Sequence, residues 1–156
     1  MTQRLDYAQV SPEALKAMRG VQQHVDSSGL EPSLLELVKM RASQINGCAY
    51  CLDMHSKDAR AAGETEQRLY LLDAWRESPF YNERERAALA WTEALTRIAD
   101  HHVEDALYAE ASKQFSDKEL VDLTLAIIAI NGWNRLAIPF RTPPGTYQSR
   151  AHAKSG

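Results

Sequence analysis

Asn46-Gly47-Cys48-Ala49-Tyr50-Cys51-Leu52-Asp53-Met54-His55 holds both cysteines of the chain, and a histidine follows the second at a spacing of four. On a helix of about 3.6 residues per turn, positions 48, 51 and 55 share one stripe. Asn46-Gly47 is a helix stop, so the stretch reads as the end of one helix and the start of another, at Cys48 or just before. A tight Asn-Gly connection folds the two helices near each other and puts both cysteines in or near a first turn.

Upstream, Pro32 opens the preceding helix, which runs to about Ile45. Before it, Ser11-Pro12-Glu13 gives an N-cap and a proline at the first helical position, for a helix to about Val25 that Asp26-Ser27-Ser28-Gly29 ends. Downstream, the cysteine helix stops at Gly63, and Thr65 caps a short helix through Trp75 that Ser78-Pro79 breaks. Asn82-Glu83-Arg84-Glu85 is a capping-box pattern for a helix to about Ala99. Val103 to Phe115 reads as another. Ser116-Asp117-Lys118-Glu119 is a second capping box, opening a last helix that runs into Asn131-Gly132-Trp133-Asn134-Arg135-Leu136. Pro139, Pro143, Pro144 and Gly145 rule out further helix, and residues 143–156 read as a loose tail.

No stretch alternates with period two, and no internal repeat occurs. The expectation is all-α: a single-domain helical bundle of six or seven helices over residues 1–156, its core at about 12–140. Two helices look apolar nearly all round, one through Leu34, Leu35, Leu37, Val38, Met40 and Ile45, the other through Leu123, Leu125, Ile127, Ile128 and Ile130. Such helices lie in a core or a subunit interface, so a homo-oligomer is expected.

A chain of 156 residues buries enough surface to fold without staples. Its apolar fraction of 44% and charged fraction of 25% fit a soluble globular protein. The net charge is −3 and no basic block occurs, so nucleic acid is not an expected partner. The longest apolar run, Leu125 to Ile130, is too short to span a bilayer, and no membrane association is expected. Met1-Thr2-Gln3-Arg4-Leu5-Asp6-Tyr7 contains an acidic residue and no apolar h-region, so it does not read as a secretory signal. A cytoplasmic location is expected, where a Cys-x-x-Cys pair is more often catalytic or metal-binding than structural.

Residues i and i+3 of a helix lie about 5–6 Å apart at Cβ, close to what a disulfide needs. Cys48 and Cys51 can therefore join, and so small a loop gives little entropic stabilisation, which suits a redox cycle. The helix N-terminus favours a thiolate at the earlier residue, Cys48. His55, at i+4 from Cys51, favours Cys51 as the nucleophile. Local reasoning leaves both open, with the base tipping the balance to Cys51. Glu36 is a lone carboxylate in Leu34-Leu35-Glu36-Leu37-Val38, on the helix that leads into the cysteines. Burial there is expected to raise its pKa toward the range of a general acid or base.

Glu36, Cys48-Ala49-Tyr50-Cys51 and His55, with eleven residues between Glu36 and Cys48, resemble the alkylhydroperoxidase D family of the carboxymuconolactone decarboxylase superfamily. Arg41 to Gly47, Asp58 to Gly63 and Asn131 to Arg135 add to the resemblance, which covers roughly residues 12–140. It implies an all-helical fold, a homo-oligomer (trimer or hexamer) and a thiol-dependent peroxidase acting on hydrogen peroxide or organic hydroperoxides. By position it implies Cys51 as the peroxidatic cysteine and Cys48 as the resolving one. His55 and Glu36 form the implied proton relay, and Tyr50 stands beside the site. No cofactor is bound; the implied reductant is an external dithiol such as a protein-bound lipoyl group. The superfamily's decarboxylases lack this Cys-x-x-Cys.

Two other readings use the same residues. One is a redox sensor or stress-linked dithiol protein without turnover. The other is a zinc site of Cys48, Cys51, His55 and Glu36, although structural zinc prefers Cys and His sets with a second chelating pair. Glu36 also has a plain alternative, a helix-surface pair with Lys39 at i+3. His24, His101, His102 and His152 read as ordinary histidines. Trp75, Trp91 and Trp133 read as core or interface, and Glu83 to Arg86 as a solvated helix start. Asn131, Asn134 and Arg135 read as groups that satisfy buried backbone or an interface.

Overall fold

The computed structural model describes residues 2–149, and among these the backbone forms helices and no strand. The helices are α1 (Tyr7–Val10), α2 (Pro12–Asp26), α3 (Pro32–Asn46), α4 (Ala49–Ala61), α5 (Glu66–Tyr70), α6 (Glu83–Thr96), α7 (Asp105–Gln114) and α8 (Asp117–Phe140). A short 3-10 turn, Leu72–Ala74, follows α5. His152 and the end of the expected tail lie outside the described residues.

The starts follow the local chemistry. Asn82 and Ser116 each accept a hydrogen bond from the backbone N–H three residues on, while Glu85 and Glu119 reach back to close the two capping boxes. Thr65 caps α5 by accepting from the Arg68 N–H. Pro12 and Pro32 occupy first-turn positions, where a missing N–H costs nothing. Ser11 precedes α2 but its side chain makes no capping bond.

Several expectations are corrected. There are eight α-helices among the described residues rather than six or seven. The added one, α1, is a single turn capped by Asp6, too short to show periodicity. The segment expected to run as one helix from Thr65 to Trp75 divides into α5 and the 3-10 turn. α6 ends at Thr96, and the chain passes into turns at Ile98, which is 60% exposed and has no core to anchor it. α8 continues through Pro139. That proline lies in the last turn, and Arg4 clasps the end by bonding the carbonyls of Pro139 and Phe140. A tilted ring contact between Tyr7 and Phe140, centroids 5.9 Å apart, adds to the clasp.

α3 is the organising helix, packed against α4, α6 and α8. One side joins a cluster with α2, α6, α7 and α8, through Leu34, Leu35, Val38, Leu123, Ala126 and Ile127. The other side, through Leu37 and Met40, joins a second cluster with Leu72, Trp75, Tyr81 and Leu89. Each fully buried Leu or Ile contributes about 1.5–3 kcal/mol, so these contacts dominate the helix's stability over its intrinsic propensity. A buried ionic group lies behind the second cluster. Glu93 accepts from Arg41, Trp75 Nε1 and Arg76, and Arg41 also bonds Asp73. These partners hold the Glu93 carboxyl below its usual range although burial alone raises it.

α8 is buried on one side only. Leu123, Ile127 and Ile130 are inside, whereas Val121 and Ile128, two turns apart, are 66% and 57% exposed. By length and composition α8 could cross a membrane, which its six-residue apolar run understates. In the fold its inner face lies instead on α2, α3 and α6. A Cβ at Gly132 would come within 2.8 Å of the Met18 methyl, the far end of a flexible side chain that has to shift to make room.

Candidate active site

α3 ends in a left-handed residue, Gly47 at φ 69°, and its last carbonyls accept from the N–H groups of Gly47 and Cys48. Glycine, lacking a Cβ, adopts that φ most readily. The turn is also held from outside. Asn46 Nδ2 donates to Asn131 Oδ1 at 3.0 Å and to Asn134 Oδ1 at 2.8 Å. Asn134, fully buried, donates in turn to Ser43 Oγ at 3.1 Å. The asparagines of α8 therefore fix the α3–α4 connection. Sequence reading assigned them only to general satisfaction of buried groups.

α4 begins at Ala49, not at Cys48; Cys48 is its N-cap, with Sγ accepting from the Cys51 N–H at 3.3 Å. The two cysteines form a disulfide, with Cα atoms 5.3 Å apart. Both are buried, yet they differ in surroundings. Cys51 lines a cavity of roughly 620 Å³, and Cys48 does not. His55 and Tyr50 line the same cavity. Tyr50 packs against both cysteines and Ala137. Burial, with Tyr7 and Asp53 nearby, pushes its phenol pKa up, so the hydroxyl stays protonated.

Glu36 reaches this cavity from α3. Its Oε2 lies 3.1 Å from His55 Nδ1, and its Oε1 accepts from Lys39 Nζ at 2.8 Å. Glu36 thus faces the histidine and pairs with Lys39, and the pair is largely buried rather than on a solvated helix face. The expected rise in its pKa does not occur. Burial does push it up, but the His55 hydrogen bond and the Lys39 charge outweigh that, and the carboxyl lies below its ordinary 4.5. With the carboxylate charged, the tautomer it favours carries the proton on Nδ1 and leaves Nε2 as the acceptor.

The remaining wall combines apolar groups, among them Leu15, Met54, Trp133 and Ala137, with the exposed cation Arg19. Trp133 is half-buried and donates to Gln22 Oε1 at 3.2 Å, so it is a cavity wall rather than simple core. Thr142, also lining the cavity, has a buried hydroxyl with no hydrogen-bond partner. Trp75 and Trp91 are core as expected. His24 bonds Asp122 at 2.9 Å, away from the cavity. Among the described residues, no group of three or more His, Cys, Asp or Glu side chains is arranged to hold a metal ion.

Residues 12–94 match the profile of the carboxymuconolactone decarboxylase family. The uncharacterised protein YdfG of Bacillus subtilis is 44% identical over 138 residues, 88% of this chain and 94% of that one. The uncharacterised protein YnjA of Escherichia coli is 35% identical over 101 residues, 64% of this chain and 54% of that one. A crystal structure from Agrobacterium tumefaciens, of a protein of unknown function considered a candidate antioxidant defence protein AhpD, superposes with a TM-score of 0.90 at 47% identity. It covers 94% of this chain and 100% of that one. The debrominase Bmp8, at 23% identity and a TM-score of 0.77 over 86% of this chain and 73% of that one, shares the fold.

Proposed function

The chain belongs to the carboxymuconolactone decarboxylase family and has the alkylhydroperoxidase D fold, and we propose that it is a thiol-dependent peroxidase. The observation that carries this reading is the different placement of the two cysteines. Both are buried, but Cys51 is among the residues lining the cavity that His55 and Glu36 share, while Cys48 is not and serves as the helix cap.

In the reduced protein, His55 Nε2 takes the Cys51 proton, directly or through a water, and Glu36 steadies the resulting imidazolium through Nδ1–H. The first turn of α4 adds its N-terminal field to both sulfurs. The Cys51 thiolate attacks the nearer oxygen of the peroxide. The O–O bond breaks, Cys51 becomes a sulfenic acid, and the leaving oxygen takes the proton to depart as alcohol or water. The Cys48 thiol then displaces hydroxide from the Cys51 sulfur, releasing water and forming the disulfide. An external dithiol reduces that disulfide by exchange and is itself oxidised to a disulfide. Over one cycle, hydroperoxide and dithiol become alcohol, water and a disulfide.

The chain itself needs no bound cofactor for this. The dithiol we propose is a protein-bound lipoyl group or one of similar reach, and the compartment a reducing one such as the cytoplasm. The open face of α8, with Val121 and Ile128 exposed, supports a homo-oligomer.

Steady-state consumption of hydrogen peroxide and of an organic hydroperoxide, with dihydrolipoamide and with monothiols as reductants, tests the reading. Sustained turnover with the dithiol is expected. Reversible closing of the disulfide without turnover under any of these reductants would instead make the protein a redox sensor.

A further inference from the structure

Lys39 has no part in the cycle above, yet it stands among the groups that perform it. It is one turn beyond Glu36 on α3, lines the same cavity as Cys51, and its side chain is only 13% exposed. A lysine buried to that extent forfeits most of its hydration, which a routine surface pair does not require. Its ammonium occupies Glu36 Oε1 at 2.8 Å, while His55 occupies Oε2. The carboxylate is thus held at both oxygens, by one ammonium and one imidazole.

We propose that Lys39 is a positioning residue of the thiol site, its ammonium fixing one oxygen of Glu36 so that the other is presented, charged, to His55 Nδ1. The inference rests on the thiol reading of the site. Without Lys39, the buried Glu36 keeps a single partner and is more readily protonated. A protonated Glu36 forfeits the charge-assisted bond that orients His55. The cavity also loses a positive charge that favours a thiolate over a thiol. Both effects act in one direction: thiol reactivity fails at a higher pH.

The other charged groups around the cavity are already engaged or distant from this task. Asp6 caps α1, Asp26 accepts from Gln22, and Asp58 accepts from the Tyr147 hydroxyl. Arg19 is exposed. On the far side of Glu36, a smaller cavity of roughly 330 Å³ presents Glu64, Arg68 and Glu85, where Arg68 pairs with both acids. Lys39 is therefore the cation in contact with the Glu36–His55 pair.

The test measures alkylation of Cys51 by iodoacetamide in the freshly reduced protein, from pH 5 to 9, with Cys51 distinguished from Cys48 by peptide mass spectrometry. It needs no peroxide, so it reads Lys39 whether or not the protein is a peroxidase; peroxide turnover by the wild type tests that separately. Lys39→Met should raise the midpoint of the pH profile by about one unit, slowing alkylation roughly tenfold on the acid side while the rates converge on the alkaline side. Lys39→Gln keeps a hydrogen-bond donor but no charge, and should move the midpoint in the same direction should the Met variant fold poorly. Lys39→Arg should return it to the wild-type value. Unchanged midpoints in the Met and Gln variants, whatever happens to the plateau, would overturn the assignment. So would an Arg variant that stays with the neutral ones.

Discussion

Asn134→Ala tests whether α8 holds the turn that presents the cysteines. Asn134 is fully buried and links Asn46 on one side to Ser43 on the other. The substitution removes the bond from Asn46, worth about 0.5–1.5 kcal/mol net. Ser43 Oγ loses the bond from Asn134, at a cost of about 1–3 kcal/mol if water does not replace it. The Asn46 amide is not orphaned, because Asn131 Oδ1 remains 3.0 Å away. The sum is about 2–4 kcal/mol, or a fall in Tm of roughly 5–15 °C for a chain of this length. Urea denaturation of the disulfide-closed protein, at one fixed protein concentration, measures it; the midpoint should fall by about 1–2 M. A cycle with Asn46→Ala isolates the pair and should give a coupling of about 1 kcal/mol. A single-variant cost below about 0.5 kcal/mol, or simple additivity in the cycle, would show that the asparagines do not lock the turn.

Two further outcomes follow from the hydrogen-bond and charge arrangement. Glu36→Gln preserves shape but removes the charge that steadies imidazolium, so kcat/KM for peroxide should fall about 100-fold; stopped-flow peroxide consumption measures it. Glu119→Gln should weaken the α8 cap by about 1 kcal/mol at neutral pH, read by thermal unfolding. The Ser116 backbone N–H and then Arg84 hold the Glu119 carboxyl down to about 2 from an ordinary 4.5. Its contribution is therefore full above about pH 4.5 and is lost as pH falls toward 2, where variant and wild type should converge.

The legible parts of this molecule are those written in local spacing. Both capping boxes, the Asn-Gly stop and the stripe of Cys51 and His55 depend on residues within a turn or two, so they could be read directly. The family resemblance followed once Glu36 was added at its distance from Cys48. What could not be read depends on which helix docks where. The sign of the Glu36 shift turns on whether His55 and Lys39 both reach one carboxylate, and burial alone points the other way. The Asn46–Asn134 bond joins residues 88 apart in the chain, through the packing of α8 on α3. Ile128 looks like a core residue in its apolar run, yet it lies on the face that α2, α3 and α6 leave uncovered. α1 and the extension through Pro139 owe their form to mutual contact between the N-terminal segment and the end of α8, through Tyr7, Arg4 and Phe140.

The most direct test of the account is a single-turnover peroxide titration of the fully reduced protein without added reductant. The wild type should consume about one equivalent and finish with no free thiol. Cys48→Ser should also consume about one equivalent and stop with a sulfenic acid on Cys51, trapped by dimedone. Cys51→Ser should consume none. Peroxide consumption by Cys51→Ser equal to wild type, or a sulfenic acid found on Cys48 instead, would contradict the assignment of Cys51 as the attacking thiol.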